Sequence, residues 1–506
     1  MGLIELKGIT KQFSGVLAND DVNINVAEGE IVALLGENGA GKTTLMNILY
    51  GLYTPTAGEV LIDDERLELH SPGDAIAAGI GMVHQHFMLI PVFSVAENII
   101  LGDEPTQRMG WLDKRKARMT VREISSRYSL DVDPDALVED LPVGLQQRVE
   151  IIKVLAREAR FIVFDEPTSV LTPTEVDSFF EIVKSLKADG KGIIFISHKL
   201  GEALEISDRI VIMRRGKTVA EVFPDEVDEK GLAELMVGRP VDLVVHKQEA
   251  QPTDVVLSVE NLLVLDDRNR LAVDHLSLEV RAGEILGIAG VQGNGQTELV
   301  ESLTGLRSSL GGVVRLQGED ITTESPRVIH KRDVAHVPED RQKSGLVLPF
   351  TVTENIVLDT YYAEPISRGI QMDWGAARSQ ALRLVDEYDV RTPSVDVLVS
   401  KLSGGNQQKV IVAREFNRDV ALVIASQPTR GIDVGSIEYI HSRIVEVRDQ
   451  GAAVLIVSSE LDEIMALSDR ILVLFEGRIA GEFDGSATAT EIGLAMLGSQ
   501  GASEAS

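Results

Sequence analysis

Apolar and polar positions fall into two patterns near the start of the chain. Residues 3–9 (Leu-Ile-Glu-Leu-Lys-Gly-Ile) read as a strand, and residues 22–26 (Val-Asn-Ile-Asn-Val) alternate strictly, as a half-buried strand does. Residues 31–35 (Ile-Val-Ala-Leu-Leu) are apolar without a break, which predicts a parallel strand buried on both faces. A glycine-rich stretch follows, and residues 44–50 (Thr-Leu-Met-Asn-Ile-Leu-Tyr) read as a helix. The same order returns from residue 255, with residues 285–289 (Ile-Leu-Gly-Ile-Ala) as the unbroken strand. The pattern predicts an α/β chain of two tandem domains, residues 3–239 and 255–498. Residues 240–254, polar and framed by Pro240 and Pro252, read as a linker, and residues 499–506 as a disordered tail. A repeat this long is a whole-domain duplication rather than a solenoid.

Residues 36–43 read Gly-Glu-Asn-Gly-Ala-Gly-Lys-Thr, a complete phosphate-binding loop between strand and helix. The backbone of Gly36, Glu37, Asn38, Gly39, Ala40 and Gly41 is predicted to cradle phosphate oxygens at the helix N-terminus, with Thr44 beside them. Lys42 reaches the β- and γ-phosphates of ATP, and the Thr43 hydroxyl holds Mg2+. Further on, residues 161–164 (Phe-Ile-Val-Phe) form an apolar run that ends in Asp165 and Glu166. Two carboxylates there suit metal-assisted phosphoryl transfer, with Asp165 on Mg2+ and Glu166 orienting or deprotonating the attacking water. Such a pair alone is commonly a solvated loop. The upstream glycine loop turns the reading toward chemistry.

The second copy has lost this chemistry. Residues 290–297 read Gly-Val-Gln-Gly-Asn-Gly-Gln-Thr, at an offset of 254, so Gln296 replaces the lysine while Thr297 stays. At an offset of 261, Ser426 and Gln427 stand where the first half has Asp165 and Glu166. The offset grows by seven, as one small insertion would produce.

With these residues in hand, nearly the whole chain resembles the ATP-binding cassette ATPases of membrane transporters. The resemblance implies two P-loop, RecA-like nucleotide-binding domains, each with an antiparallel β region and an α-helical insertion, over roughly 92–141 and 352–402. It further implies that Gln85 senses Mg2+ and the permease, that His198 acts on the γ-phosphate, and that Phe13 stacks on adenine. A lone Gln, His or Phe is ordinary, and their order along the chain carries the match. Their counterparts in the second half are Glu339, Ser459 and Asp267. The family's signature loop is near consensus at residues 402–409 (Leu-Ser-Gly-Gly-Asn-Gln-Gln-Lys), where Ser403, Gly404, Gly405 and Asn406 precede a helix suited to a γ-phosphate. Residues 141–148 (Leu-Pro-Val-Gly-Leu-Gln-Gln-Arg) are degenerate, because Pro142 lacks the hydroxyl and Val143 adds bulk. Family cassettes pair head to tail. The intact first core would therefore face the intact second signature, and the broken core the broken signature. Loss sorted in this way implies one hydrolytic site and one that binds or braces.

The tandem format resembles ATPases of bacterial monosaccharide importers. Residues 87–98, 293–298, 346–355 and 425–431 resemble a related branch that imports nucleosides. Sugar members usually keep Asp-Glu where this chain has Ser426-Gln427, which favours the nucleoside branch. The resemblance implies two integral-membrane permease subunits, an extracytoplasmic solute-binding protein and a place on the cytoplasmic face of the membrane. Composition fits. The formal charge of −30 speaks against nucleic-acid backbone binding, and the absence of cysteine excludes disulfides and thiolate-held zinc. No secretory signal and no stretch of eighteen apolar residues is visible, so a membrane role runs through a partner. A ribosome-acting tandem cassette would carry two complete sites and a long charged linker. A DNA-repair cassette would carry zinc cysteines or a basic surface.

Overall fold

The structure is a computed structural model. It describes residues 2–498 except 14, 85–86, 106–112, 169–170, 172, 198, 241–244, 370 and 497, with the backbone only at 173–174. Gln85, His198 and the tail at 499–506 lie outside the described residues. The chain divides into two compact units, Met1–Val241 and Asp242–Ser506.

The first unit contains strands β1 (Leu3–Phe13), β2 (Val16–Ala27), β3 (Ile31–Gly36), β4 (Ala57–Ile62) and β5 (Glu65–Leu67). Strands β6 (Ile80–Val83), β7 (Phe161–Asp165), β8 (Gly192–Ile196), β9 (Arg209–Arg214) and β10 (Lys217–Val222) follow. They form an antiparallel sheet, β2-β1-β4-β5, and a six-stranded sheet, β10-β9-β3-β8-β7-β6, parallel except for its β10 edge. All six residues of β3 are buried. Val32 and Leu34 pack with the antiparallel sheet, while Ile31 packs with the helical region on the opposite face. This two-sided burial explains the unbroken apolar run, and each such side chain contributes about 1.5–3 kcal/mol. The helix Lys42–Leu49 buries Leu45, Met46, Ile48 and Leu49 in the same cluster as Leu34, fixing its N-terminus at the end of β3.

The second unit repeats this architecture. Its strands are β11 (Val255–Leu265), β12 (Leu271–Arg281), β13 (Ile285–Ala289), β14 (Gly311–Leu316), β15 (Glu319–Asp320) and β16 (Val334–Val337). They continue as β17 (Ser367–Arg368), β18 (Gln371–Met372), β19 (Leu422–Ser426), β20 (Ala453–Ser458), β21 (Arg470–Phe475) and β22 (Arg478–Asp484). The sheets β12-β11-β14-β15 and β16-β19-β20-β13-β21-β22 match the first unit strand for strand. The β17–β18 pair has no counterpart among the described residues of the first unit. The segment before β11 is tied to this second unit. Lys247 Nζ donates to the carbonyls of Leu467 and Ser468, and Arg448 Nη2 donates to that of Gln248.

The extra seven residues of the second half are not one insertion. Ser94 and Thr351 form equivalent capping boxes, which puts the offset at 351 − 94 = 257. The helix caps Asp113 and Asp373 give 260, and Pro142 and Ser403 give 261. The first three extra residues therefore enter just after Glu339, where the chain makes a π turn over Arg341–Gly345. Conserved spacing at the motifs could not show where the length accumulates between them.

Candidate nucleotide site

The glycine loop of the first unit rises from the buried end of β3. Gly39 sits at φ 82, and a Cβ there would meet nothing within 4 Å, so the tip of the loop opens outward. Gly41 caps the helix Lys42–Leu49 at φ 103, where a Cβ would lie 2.4 Å from the Ala18 carbonyl oxygen. Glycine is required there by both backbone and space. No side chain caps this helix, so its first amides remain available to an anion. Asn19, fully buried, donates from Nδ2 to the Gly41 carbonyl at 3.1 Å and pins the loop. No sequence motif marked Asn19.

Lys42 is buried and folded back. Its Nζ donates to the Gly36 carbonyl at 2.5 Å and the Glu37 carbonyl at 3.2 Å. Burial lowers the lysine pKa, while Glu166, Asp165 and Glu37 act to raise it. Thr43 is exposed on the first turn. Opposite, at the end of β7, burial and then the neighbouring Glu166 push the Asp165 carboxyl up to about 6. A half-buried carboxylate held at such a cost is a donor that a divalent cation would relieve. An open loop, an uncapped helix, a lysine parked on carbonyls and this carboxylate together fit a magnesium nucleotide.

Glu166 itself has φ 49, a left-handed backbone uncommon outside glycine. Its amide donates to the Ile196 carbonyl of β8 at 3.0 Å, which fixes the residue at the sheet edge beside Asp165. Phe13, at the end of β1, is 39% exposed and meets Tyr53 edge-on at 5.5 Å. Lys11 Nζ lies 5.2 Å from the Phe13 ring and 5.8 Å from that of Tyr53. Tyr53 and Lys11 join this aromatic corner without any sequence signal.

The same place in the second unit is filled from within. Gln427 keeps the unusual backbone of Glu166, at φ 48, and its amide donates to the Val457 carbonyl at 2.7 Å. Its side-chain oxygen accepts from the Ser459 amide and hydroxyl, each at 3.2 Å. Ser426 is buried at the end of β19. Gln296 is buried in the first turn of the helix Gln296–Leu303. Glu339 accepts from Thr297 Oγ1 at 3.3 Å and from Gln292 Nε2 at 3.2 Å, and it pairs with Arg430 at 2.5 Å. A carboxylate on that threonine opposes an incoming phosphate. Asp267, the counterpart of Phe13, pairs with Arg307 at 2.8 Å.

The two signature loops differ as their sequences indicate. Ser403 is exposed and caps the helix Gly404–Phe416, with Asn406 Nδ2 donating to its hydroxyl at 2.8 Å. A Cβ on Gly405 would lie 2.1 Å from Ser436 Oγ, so that position demands glycine. In the first unit Pro142 precedes the helix Val143–Leu155 with no side-chain cap. A capping serine is worth about 1 kcal/mol, so the loss is chemical more than structural.

Comparison with known proteins fits these features. The family described as "ABC transporter" matches residues 19–169 and 273–430, the two cassette cores. The chain is 51% identical to the nucleoside import ATP-binding protein NupA of Lactococcus lactis, with 98% of each chain covered. It is 50% identical to the guanosine import ATP-binding protein NupO of Bacillus subtilis, again over 98% of each. Identity to the ribose import ATP-binding protein RbsA 1 of Rubrobacter xylanophilus is 40%, over 99% of each. With both cores matched and the likeness running end to end, this chain belongs to the ABC transporter family, as a tandem ATP-binding subunit.

Proposed function

We propose that this chain hydrolyses ATP at one of two unequal sites and thereby drives the import of nucleosides through a membrane permease. The observation that carries the solute class is the identity of about one half to nucleoside and guanosine import subunits along the whole chain, against 40% to a ribose import subunit. The Ser426-Gln427 pair in place of two carboxylates supports the same branch.

In the hydrolytic site the amides of Gly36–Gly41 hold phosphate oxygens, and Lys42 exchanges its two loop carbonyls for the β- and γ-phosphates. Thr43, Asp165 and Gln85 would hold Mg2+, which would supply positive charge against the phosphates. Glu166 takes a proton from water as the water oxygen bonds to the γ-phosphorus and the bond to the β-phosphate oxygen breaks. His198 steadies the γ-phosphate, and Phe13 stacks on adenine. Ser403, Gly404 and Gly405 hold a nucleotide γ-phosphate, the role that the family resemblance gives the signature loop. The second core, with Gln296 for lysine and Gln427 for glutamate, does not turn over ATP.

The partners are two permease subunits, docked at the loops following Gln85 and Glu339, and a solute-binding protein acting through them. No helix among the described residues is long and apolar enough to cross a membrane. Docked on these permeases, the chain sits on the cytoplasmic face of the membrane. Labelled-solute uptake in cells lacking this gene tests the reading. Loss of purine and pyrimidine nucleoside uptake supports it. Loss of monosaccharide uptake with nucleoside uptake intact replaces it with a sugar importer.

A further inference from the structure

The loop after β16 is laid along the signature helix of its own unit. Arg341 donates from Nη1 to the Arg430 carbonyl at 2.6 Å and from Nη2 to the Gly431 carbonyl at 3.1 Å. The same Nη2 stands only 2.8 Å from where a Cβ on Gly404 would be. One residue on, Gln342 Nε2 donates to Gln407 Oε1 at 3.2 Å, and Arg414 Nη1 donates to the Gly345 carbonyl at 2.9 Å. Glu339 meets Arg430 from the other side. The guanidinium thus ties the loop after β16 to the turn after β19 and lies against Gly404 at the start of the helix Gly404–Phe416.

The first unit has no such link among its described residues. Its shorter loop runs through Phe87 and Met88. The Met88 amide donates to Glu150 at 2.6 Å, and the Met88 carbonyl accepts from Lys153 at 3.0 Å, both in the body of the helix Val143–Leu155 rather than at its start. The three-residue enlargement that carries Arg341 therefore accompanies the intact signature and is missing beside the degenerate one.

We infer that Arg341 is a positioning residue for ATP hydrolysis: it holds Ser403–Gly405 in register with the loop after β16, so that displacement of that loop moves the signature. The planar fork suits this task because it grips two successive carbonyls at once, which a lysine cannot. The inference rests on the reading that the signature residue Ser403 acts on bound ATP.

Steady-state ATP hydrolysis by the assembled transporter in lipid tests it, with nucleotide affinity measured separately on each variant. Ser403→Ala alone tests the underlying reading and is expected to lower kcat about tenfold. Arg341→Ala is expected to lower kcat about tenfold with ATP affinity unchanged, and Arg341→Lys to fall between. The double variant is expected to be no slower than about the single ones, because one residue acts through the other. Independent action gives about a hundredfold loss in the double variant and overturns the inference. So does an Arg341→Ala protein with normal kcat, or one whose ATP affinity and unfolding temperature fall with its activity. If Ser403→Ala is silent, the role given to Ser403 fails instead.

Discussion

At the residue scale, the cost of readiness is concentrated on Asp165. Its carboxyl is raised to about 6 by burial, then by Glu166, and only partly relieved by Lys42. Because the folded value lies above the unfolded one, the contribution favours the fold below about pH 4 and is lost as the pH rises through about 6. At pH 7.5 the ionised group then costs the nucleotide-free fold on the order of 2–3 kcal/mol. Asp165→Asn is therefore expected to raise the unfolding temperature at pH 7.5 while removing hydrolysis. The gain narrows toward pH 5. Calorimetry at the two pH values checks this, and equal unfolding temperatures at pH 7.5 would refute it. Lys42, Asp165 and Glu166 were legible in the sequence because their chemistry is carried by short local motifs. The placement of Asn19, Tyr53 and Arg341 was not, because it depends on contacts with distant parts of the chain.

At the element scale, backbone has outlived chemistry. Glu166 and Gln427 share the same left-handed conformation and the same amide bond to the neighbouring strand, although only one can act as a base. Gln427→Glu should therefore fold normally. It should restore no turnover in a Glu166→Gln background, because Gln296 and the Glu339–Thr297 contact still oppose phosphate. Renewed hydrolysis in the double variant would show that the second core is one substitution from activity. The signature helices allow a parallel test. Ser403→Arg is expected to abolish hydrolysis, whereas Pro142→Arg should leave at least about half of it, since the helix start there already lacks a capping side chain. Turnover assays of the two variants side by side decide the matter, and equal losses would remove the asymmetry between signatures. The strands β3 and β13 followed from periodicity, since both are buried on both faces and read as unbroken apolar runs, whereas the helical regions were implied only by the family resemblance and the sheet orders were not legible in the sequence. Nor was the distribution of the seven extra residues, because only the caps at Thr351 and Asp373 reveal where they enter.

At the scale of the whole molecule, the first unit keeps the phosphate-loop lysine and the Asp165–Glu166 pair, and the second keeps the near-consensus signature at residues 402–409. In the second core, Gln427 bonds Ser459, and Glu339 bonds Thr297 and Arg430. Its intact sheets keep the scaffold on which Ser403 is presented. The formal charge of −30 is spread over a chain whose nucleotide loop relies on backbone amides and one lysine rather than on a basic surface. The measurement that bears most directly on this account is ATP turnover by the assembled transporter carrying Glu166→Gln or Gln427→Ala. Glu166→Gln is expected to lose about a hundredfold or more, the scale of losing a general base, and Gln427→Ala to change little. Equal loss in both variants would contradict it.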